Sequence, residues 1–248
     1  MSSVTVEELR EIEGGLTSLL EPHGFECHPF KIGWYNEQVS KPFVLPYHED
    51  TVAFIIISTP SMFEKAFIPF LASADCLRAK QQDPVDQCMV RHFSAVKSNY
   101  PELDIETIHD FETTPNKRPR VLVQTAGHVS GAVRYYQRKD LLADPWSPEK
   151  KIYGVCLHPV FGGWFALRGV AIFKTLICPD LQKKLPREIL ATEQEVAELL
   201  RRYNEHWEDW SFRDVITPKE RYSEEQKEYF ATKPAERLAL IEKLVASV

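Results

Sequence analysis

The runs Ile152-Tyr-Gly-Val-Cys-Leu-His158 and Trp164-Phe-Ala-Leu-Arg-Gly-Val-Ala-Ile-Phe173, joined by Pro159-Val-Phe-Gly-Gly163, carry the clearest strand-pairing signal in the chain. Two stretches rich in β-branched and aromatic residues around a Gly-Gly turn predict a β-hairpin. Working outward, the apolar run over residues 51–58 reads as a buried strand, residues 105–111 as a second, and Arg120-Val-Leu-Val-Gln124 as a third, with a polar, Pro-containing turn at Thr114-Pro115-Asn116 between the last two. Helical signals flank these strands. Thr5-x-x-Glu8 and Thr192-x-x-Glu195 are capping boxes, and Ser223-x-x-Gln226 is a third N-terminal signal. Thr59-Pro60 opens a helix expected to run to about Leu71, Asp83-Pro84 opens another, and Pro234 opens a last one. Apolar residues recur at helical spacing after each start, with Gly14-Gly15 weakening the first helix and Trp207 and Trp210 expected to anchor the late ones. With no regular strand–helix alternation, the expected class is α+β, a mainly antiparallel central sheet flanked by helices, built as one domain over 1–248.

Composition narrows the function classes. The chain of 248 residues has 30 Lys+Arg against 36 Asp+Glu, a net charge of -6, and no sustained basic run, which argues against nucleic acid as the main partner. The longest apolar run, Val52-Ala-Phe-Ile-Ile-Ile57, falls far short of the roughly 20 residues of a membrane helix, and the N-terminus lacks a basic-then-apolar signal, so a cytoplasmic protein is expected. Five cysteines, Cys27, Cys76, Cys88, Cys156 and Cys178, include no Cys-x-x-Cys pair and read as buried thiols.

Motifs for chemistry are sparse. The sequence has no P-loop, dinucleotide-binding glycine fingerprint, nucleophile elbow or His-Glu-x-x-His. Cys88-x3-His92 and His23-x3-Cys27-His28 lack a full ligand set, so no bound metal is expected. Gly127-His128-Val-Ser-Gly131 places an imidazole beside glycines, where backbone can approach a large flat ligand, although the Asp that orients a cobalt-ligating histidine in fuller versions of this motif is replaced by Ala126. Tyr135-Tyr-Gln-Arg138 offers ring faces and amide donors, the functional groups that a macrocycle's rim would use, but also those of ordinary strand tyrosines. Asp209 and Arg213 have the spacing of a surface ion pair.

Taken together, Ile32-Gly-Trp-Tyr-Asn-Glu37, Asp83-Pro-Val-Asp-Gln-Cys88, Gln124-Thr-Ala-Gly-His-Val-Ser-Gly131, Tyr135-Tyr-Gln-Arg138, Gly154-Val-Cys-Leu-His-Pro-Val-Phe-Gly-Gly-Trp-Phe-Ala-Leu-Arg-Gly169 and Arg221-Tyr-Ser-Glu-Glu-Gln-Lys227 closely resemble the cobalamin-processing proteins of the cblC (MMACHC) type. The resemblance implies a nitroreductase-like fold and an enzyme that removes the upper axial ligand of cobalamins. Cyanocobalamin would be decyanated with electrons from reduced flavin (FMN or FAD), and alkylcobalamins dealkylated by glutathione. By position, Asp110, Val121, Leu122, Val123, Gln124, His128, Tyr135, Tyr136, Gln137, Tyr153 and Leu167 fall where the family lines its corrinoid pocket, and Arg168, Arg213 and Arg237 where it holds glutathione. Gly154 and Cys156 are assigned structural roles. The resemblance also implies a cblD-type trafficking partner, methionine synthase, and a separate NADPH-dependent flavin reductase. No catalytic nucleophile of the protein itself is expected, because a thiolate attacks the carbon on cobalt and reduced cobalt is the leaving group. Two other classes compete: a corrinoid chaperone without turnover, and a flavin oxidoreductase of small organic acceptors.

Overall fold

A computed structural model describes residues 1–73 and 83–246. Cys76 lies outside them. Strand β1 (Ser2–Ser3) leads into helix α1 (Val6–Leu20), whose Thr5–Glu8 capping box forms as its sequence requires. The helix runs through Gly14-Gly15 to Leu20, held by Leu9, Leu16 and Leu20 in the core. A turn ending at left-handed Gly24 starts β2 (Phe25–Lys31), followed by the short α2 (Ile32–Asn36) and β3 (Thr51–Ser58). The helix expected from Pro60 forms later and differently, as a π-helical turn over Phe63–Phe67 continuing into α3 (Ile68–Leu71). Pro69 cannot donate the backbone bond a regular helix would need there, which accounts for the widened turn.

Helix α4 (Pro84–Asn99), capped by Asp83, precedes β4 (Ile105–His109) and α5 (Val123–Val129). The strand expected at residues 120–124 is therefore absent. Val121 and Val123 are buried as that run implies, but the Tyr35 hydroxyl accepts the Leu122 amide at 2.9 Å and the chain turns into a helix. Next come β5 (Arg134–Tyr136), β6 (Val155–Leu157) and β7 (Ala166–Ile177), then α6 (Glu193–Glu205), α7 (Glu224–Ala231) and α8 (Leu238–Ala246).

The expected hairpin does not form either. Its first arm, β6, pairs antiparallel with β5 in a separate two-stranded sheet, while its second arm, β7, is the central strand of the main sheet. The bridge between His158 and Gly162 closes the turn and does not pair the arms. The glycines serve a different contact. A Cβ on Gly162 would lie 2.7 Å from the Arg213 carbonyl oxygen, and one on Gly163 would lie 2.7 Å from Arg213 Cα. Local propensity marks both arms as strands, but partner choice is set by this tertiary approach.

In the main sheet, β3 pairs antiparallel along one edge of β7 and with β2 on its other side, β4 pairs antiparallel along the opposite edge of β7, and β1 adds a parallel pair at Leu176 and Ile177. Alternate residues of β3 and β7 face two cores. Phe54, Ile56, Ala171 and Phe173 pack under α1, α4 and the C-terminal helices, whereas Ala53, Ile55, Val170 and Ile172 pack under α2 and α5. A third core joins β5 and β6 to α6 through Tyr136, Leu157, Leu199 and Phe212. The architecture is α+β, with a mixed, mainly antiparallel central sheet flanked by helices.

Two parts of this framework meet at Glu26 on β2. His158 Nδ1 accepts the Val160 and Phe161 amides at 3.1 and 3.3 Å, so its Nε2 carries the proton and donates to Glu26 Oε2 at 3.1 Å. His28 Nε2 meets the same oxygen at 3.1 Å. Burial opposes the charge on Glu26, but the two histidine contacts outweigh it and hold the carboxyl well below the ordinary glutamate range, at about 2. The resulting stabilisation is present above the ordinary glutamate range and is lost as pH falls toward the folded value. Glu26→Gln should lower the unfolding free energy by about 2–3 kcal/mol near pH 7 in urea titrations. The gap from wild type should narrow near about pH 3.

Candidate functional site

Between α5, β5 and the irregular segment that follows β7 lies a cleft of about 530 Å³. Its walls bring together Leu122, Gln124, His128, Tyr135 and Gln137 of the sequence-identified residues, together with Gln38, Val39 and Phe43 after α2 and Leu185, Pro186 and Glu188. Ring faces, amides and apolar side chains thus share one concave surface, the composition of a site for a large organic ligand.

The segment 179–191 crosses beside this cleft as a strap. Arg134 Nε donates to Glu188 at 2.8 Å, and the Tyr136 hydroxyl accepts the Ile189 and Leu190 amides, each at 2.9 Å. Gly131 has φ +78, and a Cβ there would sit 2.8 Å from the Lys184 carbonyl oxygen. The glycine of His128-Val-Ser-Gly131 therefore admits the strap, not a ligand. Gly154 plays a similar part, since a Cβ on it would meet the Tyr135 ring at 2.5 Å. Leu185, although it lines the cleft, leaves 82% of its surface exposed.

His128 is half-buried, and its Nδ1 accepts the Tyr135 amide at 3.4 Å. Burial and the cations Arg134, Lys139 and Lys183 disfavour its charged form, with only Asp140 opposing them. The neutral ring consequently carries its proton on Nε2, making that atom a donor and not a metal ligand. Among the described residues no group of three or more His, Cys, Asp or Glu is placed to hold a metal ion.

Other sequence-identified positions lie elsewhere. Val121 and Val123 are core residues, Tyr136 is 1% exposed and belongs to the third core, and Tyr153 is 56% exposed with its backbone held by Asn204. Leu167 packs its side chain at Gly127 of α5. Its neighbour Arg168 projects to the opposite face of the sheet, where Nε donates to Ser58 Oγ at 2.8 Å. Asp110 closes that end of β4, its amide bonding the Arg168 carbonyl at 3.1 Å, and burial pushes its carboxyl up. Asp86, on the first turn of α4, is pushed up to about 6 by burial and by Asp83 and Asp110, against the pull of Arg168.

Arg237 pairs with Asp83 at 3.3 Å and lies over the Tyr229 ring. Arg213 does not pair with Asp209. Its guanidinium lies 5.0–5.6 Å from the ring centres of Trp164, Trp210, Phe212 and Tyr222 and donates to the Gly163 carbonyl. Trp210 supplies one of those rings from a left-handed backbone (φ 61), whereas Trp207 is exposed. Ring contacts from Tyr222 through Phe230 to Tyr229 link this box to Arg237. Neither Arg168 nor Arg213 has a carboxylate partner within ion-pair distance among the described residues.

Sequence reading did not identify Arg134, Lys139 or the strap, all of which shape the cleft. No local signal marks the strap, because its role is set by what it crosses. Cys156, assigned a structural role, has its Sγ 4.0 Å from the Gln124 carbonyl and pairs across the ladder with Tyr135. Burial pushes its thiol up, so it is a poor nucleophile.

Residues 24–241 match the methylmalonic aciduria and homocystinuria type C family. The chain belongs to this family. A Homo sapiens type C member named cyanocobalamin reductase / alkylcobalamin dealkylase is 49% identical over 234 residues, covering 94% of this chain and 82% of that protein. The Gallus gallus protein of the same name is 51% identical, covering 91% and 94%. Among solved type C structures, a Caenorhabditis elegans B12-trafficking protein superposes with a TM-score of 0.87 at 35% identity over 98% of both chains. No helix among the described residues is long and apolar enough to cross a membrane.

If Gly131 is required by the strap, Gly131→Ala should lower stability by about 2 kcal/mol, from the left-handed backbone and the Lys184 contact together. Gly14→Ala, in the interior of α1 with open space around it, should instead stabilise by about 0.5–1 kcal/mol. Urea unfolding of the two variants checks both signs.

Proposed function

We propose that this protein removes the upper axial ligand of cobalamins, with the corrin ring seated in the cleft between α5, β5 and the strap. The observation that carries this reading is the convergence there of Leu122, Gln124, His128, Tyr135 and Gln137, positions that the family resemblance groups by sequence alone. The amides of Gln124 and Gln137 match a macrocycle fringed with amide arms, the Tyr135 ring offers a flat apolar face, and the His128 Nε2–H offers a donor. The curated relatives are named for both decyanation and dealkylation, and this chain is assigned both. A nitroreductase-like reading of the sheet and helices accords with this use of the fold.

For dealkylation, the thiolate of glutathione attacks the alkyl carbon. The sulfur–carbon bond forms, the cobalt–carbon bond breaks with both electrons remaining on cobalt, and the thiol proton passes to solvent. A thiol of ordinary cysteine pKa is only a few per cent ionised near pH 7, so nearby cations accelerate the step by favouring the thiolate. Arg168 and Arg213, neither within ion-pair distance of a carboxylate among the described residues, and Arg237 are assigned to the two carboxylates of the tripeptide. For decyanation, reduced FMN or FAD, regenerated by a separate NADPH-dependent reductase, would supply the reducing electrons. Cytoplasmic residence and hand-over to a cblD-type partner and methionine synthase complete the reading.

A visible-range titration with methylcobalamin, followed by anaerobic glutathione, tests it. The expected result is a shift to a base-off spectrum on binding, then formation of S-methylglutathione and cobalt(I). A spectral shift with no thiol consumed would favour the chaperone reading. Arg168→Lys or Arg213→Lys keeps the charge and loses the fork, and should lower dealkylation by at least about tenfold. Flavin-dependent decyanation should change much less. Equal losses in both reactions, with cobalamin affinity falling in parallel, would show that these arginines support the corrinoid cleft or the fold.

A further inference from the structure

The cleft carries a charge pattern that the corrin ring and its neutral amide arms do not use. Arg134 on its rim is neutralised by Glu188 at 2.8 Å and Asp140 at 3.7 Å. Lys139, one residue before Asp140, lines the same cleft, is exposed, and has no ion-pair or hydrogen-bond partner among the described residues. Lys183 on the strap lies close enough to act on His128 and sits 5.9 Å from the centre of the Trp34 ring. His128 adds a second group at the same wall. Its Nδ1 is committed to the Tyr135 amide, which leaves a protonated Nε2 as a donor in a ring that lines the cleft. A donor beside unpaired cations, at the mouth of a concave site, fits an anionic oxygen and not an amide arm alone.

We propose that Lys139 and the Nε2–H of His128 receive the phosphodiester of a nucleotide-bearing corrinoid. This rests on the reading of the cleft as the corrinoid site. The phosphodiester is the one fixed anion of a cobalamin, so these two groups would let the protein distinguish complete cobalamins from corrinoids that lack the nucleotide. Lys183 strengthens the local field, and the pairing of Arg134 with two carboxylates keeps that residue from competing. When the lower base leaves cobalt, the nucleotide arm is free to swing, and a phosphate held at the rim would fix its direction.

The test compares cobinamide, cobinamide phosphate and cobalamin on the full-length protein, with affinities read by tryptophan fluorescence or calorimetry and without turnover. Lys139→Gln should weaken cobalamin and cobinamide phosphate by roughly three- to fivefold, the scale of an exposed ion pair, and leave cobinamide unchanged. Lys139→Glu should weaken the two phosphate-bearing ligands further, and added salt should shrink both differences. His128→Gln, which keeps a donor but moves it, should weaken the two phosphate-bearing ligands by more than it weakens cobinamide. Equal loss for all three ligands, or none for any, would overturn the assignment. Failure of the wild-type protein to bind any of the three would instead overturn the corrinoid reading itself.

Discussion

The close approach of β4 to β7 at Gly169 organises the rest of the molecule. Gly169 has φ +140, and a Cβ there would strike the Ile108 carbonyl oxygen, so only glycine lets the two strands meet. At the same point the register with β3 shifts, Ile56 facing Gly169 and Ile57 facing Leu167, which leaves Arg168 as the extra residue of a bulge. The extra residue reverses the phase of the alternation beyond it, so that Leu167 and Ile57 share one face and Arg168 takes the other. Leu167 goes to Gly127 of α5, and Arg168 to Ser58 and the acids at the start of α4. One strand end thus packs against the cleft helix α5 on one face and carries Arg168 on the other.

What the sequence disclosed, and what it hid, divide along local and tertiary lines. The capping boxes at Thr5 and Thr192 and the proline start at Asp83-Pro84 fix helix starts through local chemistry, and all three helices begin where read. The buried run at β3 is likewise legible, because an apolar strand of that length has few alternatives. The failures are matters of partnership. The hairpin at Gly162-Gly163 dissolves because those glycines accommodate Arg213, the strand at 120–124 is redirected by the Tyr35 hydroxyl, and Gly131 serves the strap. Each signal marks a real constraint, but the group imposing it lies far away in sequence.

The candidate site shows the same division. Resemblance named Leu122, Gln124, His128, Tyr135 and Gln137, and the fold assembles them in one cleft, while it assigns Tyr136 to a core and leaves Tyr153 on the surface. Histidine geometry adds what no motif could. A glycine-flanked imidazole suggests a cobalt ligand, but the Tyr135 amide takes the Nδ1 lone pair and turns the other nitrogen into a donor. Cys156 is half-buried, and desolvation makes its thiol harder to ionise. Under the proposed function the protein's own groups bind and orient, and the nucleophile is that of a thiol co-substrate.

Hydrogen–deuterium exchange with and without methylcobalamin tests the location of the corrinoid most directly. The account predicts protection confined to residues 122–128, 134–139 and the strap around 185–188, with β2 and β3 unchanged. A larger cleft of about 720 Å³, between Trp164, Trp210 and α7, offers the natural contrast. Protection centred there, with the segment around His128 exchanging as in the free protein, would contradict it.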